Sequence, residues 1–463
     1  MCLHSPGILV TIDRSSSAAV KSMTHRAWLA VAIGLPVYAF LYDNATSLPS
    51  AMGYAWTRLT PLTRQVRLGE IVVIAGLVGL ALNHGVSRTT RNLLAGSFLF
   101  IGLGLISYVR RSDVPLLDGV RLIYMWVLPV FIFIIGREAP WGRTAWKWTA
   151  ITVFVWVLAS AVTSWLQAAW LGYPVGDDIT GFNKDAHANG TLMMFTALQV
   201  LAFALFYEKR SLLLVALALL VTMVLSSVLK VMFLGVVALA LLVWLYLRYG
   251  PRRRAGLVPR GLKLAMAAAL TVAVVAVAFT QVDVISSNRM GDLVQKVRED
   301  PESLGPFRAH QVALTKIAGD LPTLVLGVGP FRFANPISVG QALSEGRLGR
   351  SASGEVLAIE DEKGEQTRIT LSSSLLGEFG VPALVTVGLV YLAIGRAVWR
   401  SASHDRLDIR ARTAGLLACG SILALTPLTS LFGSLDVMSV SWPVMLLSGL
   451  ICREAALSPV AER

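Results

Sequence analysis

Charged side chains are scarce in this sequence. They make up 15% of its 463 residues, whereas 55% are hydrophobic, and the mean hydropathy is +0.65. Soluble domains carry charge on about a quarter of their residues, so the composition predicts a membrane protein with several spans. Cysteine is also scarce, because Cys2, Cys419 and Cys452 stand far apart in the chain. Their spacing excludes a disulfide framework and a zinc site built on paired cysteines.

Sequence motifs for nucleotides and metals are absent as well. The chain has no Gly-x-x-x-x-Gly-Lys-Ser/Thr loop, and the segment Gly327-Val328-Gly329 is too short for a dinucleotide fingerprint. We interpret this short segment as a sharp turn. The net charge of +13 could indicate nucleic acid, but the basic residues follow membrane topology instead. We therefore expect no cofactor, no metal and no nucleic-acid partner.

Long apolar runs dominate the chain and predict an all-α fold, a polytopic membrane bundle of about 12 transmembrane helices. A helix needs roughly 20 residues to cross the hydrocarbon layer. The runs lie near residues 27–42, 71–83, 93–109, 119–136, 148–172, 190–207, 211–227, 231–249, 262–280, 373–394, 413–432 and 437–451. We divide the chain accordingly into an N-terminal bundle at 1–281, a large loop at 282–372, and C-terminal spans with a tail at 373–463.

The basic residues predict the orientation of the bundle. With the N-terminus inside, more than half of the 41 Lys and Arg residues fall in cytoplasmic segments, and few fall in the short outer segments. Lys and Arg in short loops near the ends of helices set orientation. The bias predicts that both termini are cytoplasmic and that the loop at 282–372 lies on the outer side.

The loop at 282–372 has the features of a functional segment. A loop this long is uncommon in a compact protein unless it is functional or disordered, and its Phe and Leu content argues against disorder. Its residues 307–321 carry apolar side chains at helical spacing, which predicts an amphipathic helix on the outer face of the bundle. These side chains are Phe307, Val312, Leu314, Ile317 and Leu321.

The predicted outer face also collects cations. Guanidinium groups bind phosphate in a planar, bidentate geometry, and lysine supplies a point charge, so these residues could bind a lipid diphosphate. The alternative for each is that its long side chain only reaches the membrane interface. The candidates for diphosphate binding are Lys230, Arg308, Arg289, Arg110 and Arg111.

Besides Arg308, four further residues are candidates for catalysis. His187 lies beside Asp185, and either could act as a general base. The alternative is a polar loop in which Asn189 caps the next helix. His310 lies in the predicted amphipathic helix. Glu378 begins an apolar run, where an acid is either functional or pairs with an outer arginine and holds the loop in place.

Several of these segments together resemble a known family. A basic residue follows the seventh run, and two runs lead to the long loop. The loop contains Arg308-x-x-x-x-Ala313-Leu314, Asp320-Leu321-Pro322 and Gly327-Val-Gly-Pro-Phe331, and the next run opens with Gly377-Glu-Phe-Gly380. Over roughly residues 180–400, the chain resembles the O-antigen ligase and O-antigen polymerase superfamily of bacterial inner membranes.

This resemblance implies a metal-independent glycosyltransferase that moves a glycan from undecaprenyl diphosphate to a sugar hydroxyl on the periplasmic face. The acceptor is another carrier-linked repeat or lipid A-core, and polymerase is favoured over ligase. The implied partners are the carrier-linked oligosaccharide, the acceptor, the bilayer, and a chain-length regulator or other assembly proteins. Two alternatives are a flippase or exporter of lipid-linked glycans and a non-catalytic partner in an assembly complex.

The resemblance also implies roles for particular residues. Arg308 matches the arginine of the family's loop, and Lys230 stands where the family often has an arginine. The family usually has a His-Asn pair about nine residues before its Glu-x-Gly motif, but this chain reads Arg368-Ile-Thr-Leu-Ser-Ser-Ser374 there. Either the chain uses another base, for which His310 and His187 are the candidates, or it is a distant member of the family with altered activity.

Overall fold

The structure is a computed structural model. It describes residues 86–111, 116–138, 143–171, 179, 181, 186–207, 210–226, 235, 237–242, 244, 305–330, 358–360, 366–368, 371–403, 444–450 and 452–453. The runs predicted near 27–42, 71–83, 262–280 and 413–432 lie outside these residues. Most of the loop predicted at 282–372 lies outside them too, so the account of the loop concerns its helical part and a short β-ribbon.

The described residues are predominantly helical, as the apolar runs predict. The helices are α1 (Arg88–Arg111), α2 (Leu116–Glu138), α3 (Arg143–Ala169), α4 (Ala186–Tyr207), α5 (Arg210–Leu225), α6 (Gly305–Ile317), α7 (Leu321–Leu326) and α8 (Leu371–Ser403). Residues 237–242 and 444–450 are also helical. One antiparallel ribbon joins β1 (Ala358–Glu360) to β2 (Gln366–Arg368), with Ile359 opposite Thr367.

Two helices are long and apolar enough to cross a membrane, at Arg88–Arg110 in α1 and at Ser372–Ser401 in α8. In each, 28% of the most apolar window is buried inside the protein. A core helix of a soluble protein would be buried over most of its surface, so these two are unlike core helices. Shorter apolar helical segments lie at Val153–Ala169, Asn189–Ala204 and Ser211–Leu225.

The helices α1 and α8 pack side by side in opposite directions. Gly96 of α1 lies against Val390 of α8, because a Cβ atom at Gly96 would meet the Val390 side chain. Further along, the Phe100 and Phe379 rings meet edge to face with centroids 5.7 Å apart. Such aromatic pairs add about 0.5–1.5 kcal/mol beyond their burial. The helix α2 packs against both.

The bundle therefore has two ends, which we name after one acid at each. At the Glu138 end, the Ser87 and Thr90 hydroxyls at the start of α1 donate to the Glu138 carboxylate at 2.6 and 2.5 Å. A carboxylate is favourable there because helix N-termini carry partial positive charge. Ser401 of α8 reaches the same end, where Cys452 bonds to it and lies near Arg137.

The Glu378 end is the opposite one, and it carries the last turn of α1, the first turns of α8, and the helices α6 and α7. The positive-inside prediction assigns the starts of α1 and the ends of α2 and α8 to one side, and the amphipathic helix to the other. In the structure, the start of α1 and the ends of α2 and α8 lie at the Glu138 end, and α6 lies at the Glu378 end; which side of a membrane each end faces stays a prediction.

Candidate functional site

The candidate site is built around a break in α8. Gly380 adopts φ 80° and ψ −179°, which is non-helical, and Pro382 follows two residues later. Proline has no N–H to donate to the carbonyl four residues earlier, and that carbonyl belongs to Glu378. Backbone carbonyls left without helical donors need other partners when they are buried.

The segment Gly327–Gly329 supplies those partners. The Val328 N–H donates to the Gly377 carbonyl at 2.8 Å, and the Gly329 N–H donates to the Glu378 carbonyl at 3.1 Å. The Ser107 hydroxyl of α1 also donates to the Glu378 carbonyl, at 3.0 Å. The loop, α1 and α8 are thus joined through backbone groups at the break.

Both sides of this junction require glycine. Gly327 and Gly329 have φ of 70° and 104°, so the sharp turn expected from Gly327-Val328-Gly329 is confirmed. Positive φ is strained for side chains other than glycine. The approach is also too close for a Cβ, because one added at Gly327 would collide with the backbone of Glu378, and one at Gly380 would lie 2.5 Å from the Val325 carbonyl oxygen.

The short helix α7 leads into this turn. Its N-cap, Asp320, accepts a hydrogen bond from the Thr323 N–H at 2.6 Å, and its C-cap, Gly327, donates to the Thr323 carbonyl at 2.7 Å. An Asp N-cap contributes about 1 kcal/mol relative to alanine. The caps fix a six-residue helix that would be marginal alone.

The amphipathic helix lies where the sequence predicts one, although it ends at Ile317 rather than 321. A turn at 318–320 separates it from α7, so Leu321 belongs to the next helix. Ala309, Ala313 and Ile317 share one fully buried face of α6, in keeping with a spacing of four residues. This face packs on α8, and α6 also contacts β2.

His310 lies at the edge of that buried face. Its Nε2 atom and the Ser372 Oγ atom share a hydrogen bond of 2.7 Å. Ser372, Ser373 and Ser374 are all buried in the first turn of α8. The contact places an imidazole from the loop against the start of the helix that carries Glu378.

Glu378 is 1% exposed, and its neighbours Gly377 and Phe379 in α8 are buried as well. The backbone carbonyl of Glu378 holds the loop, because it accepts hydrogen bonds from the Ser107 hydroxyl and the Gly329 N–H. Both sequence-based alternatives for the Glu378 side chain, a functional role and a pairing with an outer arginine that holds the loop, stay predictions.

The candidate cations are described only in part. Arg110 is exposed in the last turn of α1, one turn beyond Ser107, and so lies at the Glu378 end. For three other candidates the structure describes the backbone but not the side chain. These are Arg111 in α1, His187 in α4 and Arg308 in α6. Lys230, Arg289 and Asp185 lie outside it altogether. In the last turn of α6, partial burial lowers the pKa of Lys316.

A second polar cluster joins α3, α4 and α5. The Asn189 amide is fully buried, receives a bond from the Ser160 hydroxyl and donates to the Ser164 and Ser226 hydroxyls, each at 2.8 Å. The expectation that Asn189 caps the next helix is wrong, since α4 begins at Ala186. Its side chain instead connects three helices, a pairing that no local pattern signals.

The Asn189 cluster also holds the chain that precedes α4. Gly181 has φ 57°, and a Cβ there would collide with Asn189 and Ser160. Its N–H donates to the Gln167 side chain at 2.8 Å. Gly181 is thus fixed to α3 and to Asn189 of α4 at this point.

Among the described residues, no group of three or more His, Cys, Asp or Glu side chains is placed to hold a metal ion. No protein-family model matches the sequence, and no curated protein matches it either. The class that the structure defines is a predominantly helical protein with two helices suited to crossing a membrane and a loop docked at one of their ends.

Proposed function

We propose that this protein is a glycosyltransferase of the bacterial inner membrane that acts at its periplasmic face. It transfers a glycan from undecaprenyl diphosphate to a sugar hydroxyl, and polymerisation of carrier-linked repeats is favoured over ligation to lipid A-core. The Glu378 end is the periplasmic end in this proposal, and both termini are cytoplasmic. The bilayer surrounds the apolar helices, whose outward side chains are exposed in α1 and α8.

The contact between His310 and Ser372 is the observation that carries the proposal. The family that the sequence resembles has its histidine shortly before the Glu-x-Gly motif, where this chain has Arg368 to Ser374. The loop helix α6 brings His310 to that same segment. A histidine from another part of the chain therefore stands beside the position at which the family's own histidine is missing.

The chemistry assigned to these residues is a displacement at the anomeric carbon. His310 accepts the proton of the acceptor hydroxyl as its oxygen forms the new glycosidic bond. The bond between the anomeric carbon and the diphosphate oxygen breaks, and undecaprenyl diphosphate leaves with the bonding electrons. Cations bind the diphosphate and stabilise the negative charge that develops on it, a large term in many enzymes.

Arg308 is the cation assigned to that role, because it matches the arginine of the family's loop and lies in the first turn of α6, the helix that carries His310. Lys230, Arg289, Arg110 and Arg111 complete the proposed set. Glu378 has a positioning role, since its carbonyl anchors the turn that follows α7. His187 remains the competing base, and variants separate it from His310.

Reconstitution with a carrier-linked repeat tests the proposal. The full chain in vesicles should lengthen the repeat, and His310→Ala should slow lengthening about a hundredfold or more, the usual worth of a general base. Arg308→Ala should abolish product without loss of membrane insertion. Gln311→Ala is the matched control, because Gln311 is exposed on the same helix.

The outcomes separate the proposal from its competitors. Normal product ladders from Arg308→Ala would contradict the diphosphate role. Loss of activity in His187→Ala with full activity in His310→Ala would transfer the base to His187. Movement of the substrate across the bilayer without lengthening would indicate a flippase, and neither activity would indicate a non-catalytic partner.

A further inference from the structure

The helix α7 has an exposed apolar face. Leu321, Leu324 and Val325 lie at positions i, i+3 and i+4, and so share one side of the helix. They are 72%, 36% and 37% exposed, whereas Thr323 on another side is buried. Large apolar side chains that cluster at a surface mark a contact with a partner or a membrane.

This face is continuous with the exposed apolar side of α8. The Val325 carbonyl lies against Gly380, the residue at which α8 breaks. Beyond the break, exposed apolar side chains recur at a spacing of one helix face, at Val381, Val385, Leu389 and Leu392. The face of α7 therefore extends a stripe that runs along one of the two helices long enough to cross a membrane.

The neighbouring end of α1 also exposes an apolar side chain. The helix α7 packs against α1, whose Val109, near its last residue, is 82% exposed. The exposed side chains of α6 contrast with this surface. Among the described side chains of α6 they are Gln311, Thr315 and Lys316, with Leu314 as the apolar exception. The change from polar to apolar surface falls at the turn between α6 and α7.

We infer that α7 inserts Leu321, Leu324 and Val325 into the bilayer at the Glu378 end, at the boundary between headgroups and acyl chains. Helices that lie in this interface bury their apolar face in lipid and keep their polar face in water. The continuity with α8 selects lipid as the occupant, because the stripe beyond Gly380 faces lipid wherever α8 crosses the membrane. The inference rests on the membrane placement in the proposed function.

The consequence for the proposed reaction is a lipid surface directly beside the candidate site. The turn that follows α7 bonds to the residues around Glu378. A substrate with a polyprenyl tail could keep that tail in the bilayer along α7 while its diphosphate reaches the cations at the same end.

Site-specific labelling tests the inference on the full chain. Cys2, Cys419 and Cys452 are replaced by alanine, and an environment-sensitive NBD label is attached to L321C, to T315C or to L389C. The protein is reconstituted in vesicles of phosphatidylethanolamine and phosphatidylglycerol. Nitroxides on the lipid chains should remove most of the NBD emission from L321C, and aqueous iodide should not. T315C should show the reverse, because Thr315 is exposed on the polar side of α6.

L389C, in the middle of the α8 stripe, tests the membrane placement itself. Quenching of L389C by lipid nitroxides together with quenching of L321C by iodide would overturn the inference and leave the proposed function standing. Shielding of L321C from both quenchers would also overturn it, by indicating a protein partner. Quenching of L389C by iodide would overturn both.

Discussion

The Nε2 atom of His310 lies 2.7 Å from the Oγ atom of Ser372, although the two residues are 62 positions apart in the sequence. The bond ties α6 to the first turn of α8 beside the buried Ser373 and Ser374. In the proposed reaction, Ser372 orients the imidazole, and it is therefore a positioning residue.

Ser372→Ala should lower kcat while leaving KM nearly unchanged. A typical net hydrogen bond is worth about 0.5–1.5 kcal/mol, which corresponds to roughly a twofold to tenfold loss of rate. Steady-state kinetics with the carrier-linked repeat measures both constants. Ser372→Thr, which keeps the hydroxyl, should recover most of the rate. A change confined to KM, or no recovery by threonine, would argue against an orienting role.

Gly380→Ala and Gly327→Ala should each detach α7 from α8. Alanine at these positive φ values costs at least about 1 kcal/mol, and its Cβ would collide with backbone of the facing segment. Faster proteolysis of the loop in vesicles is the expected result. The matched controls are Gly388→Ala in the same helix and Gly319→Ala in the loop, because a Cβ at either position meets open space. Equal protection of all four variants would show that the close approach is unimportant.

Ser107→Ala should destabilise the protein by about 0.5–1.5 kcal/mol, since it removes one of the donors to the Glu378 carbonyl. Ser97→Ala serves as its control. Both serines are buried in α1, but the Ser97 hydroxyl has no hydrogen-bond partner among the described residues. Its removal should be neutral or slightly stabilising. Thermal unfolding in detergent measures the difference, and the prediction is wrong if the two variants behave alike.

Asn189→Ala should destabilise the helices α3, α4 and α5 more than a typical surface substitution does. It removes the buried partner that the Ser160, Ser164 and Ser226 hydroxyls share. The Ser164 hydroxyl keeps its bond to the Ser160 carbonyl, whereas a buried polar group that is left unpaired costs about 1–3 kcal/mol. Thr196→Ala is the control in the same helix, because Thr196 bonds to the carbonyl of Leu192 in its own helix. A loss of stability no greater than that of Thr196→Ala would contradict the prediction.

Local patterns in the sequence predicted the local structure well. The apolar runs near 93–109 and 373–394 became the helices α1 and α8, because a long apolar stretch satisfies its backbone best as a helix. Helical spacing predicted α6, and the short Gly327–Gly329 motif predicted a turn, since glycine alone enters that conformation without strain. The predicted C-terminal end of α6 was wrong because Leu321 fits the apolar spacing of that helix, although it belongs to α7.

The hydrogen bonds between distant segments could not be predicted from the sequence. Gly380 and Pro382 are visible in the sequence, but nothing local indicates that Val328 and Gly329 donate to the carbonyls before the break. The same holds for Asn189, whose partners lie on two other helices. Such contacts depend on how helices pack, which a single sequence does not encode in any short window. The family resemblance and the assignment of roles to Arg308 and Lys230 stay predictions.

The interruption of α8 at Gly380 affects the free-energy cost of placing Glu378 in a membrane. Residues 381–403 alone measure about 34 Å as a helix at 1.5 Å per residue, which already exceeds the hydrocarbon thickness of about 30 Å. The turns of α8 before Gly380 are therefore not needed to span the hydrocarbon layer, and they can lie in the headgroup layer. A carboxyl group there lies away from the bilayer centre, where an acid is most costly, and its burial is within the protein rather than in lipid.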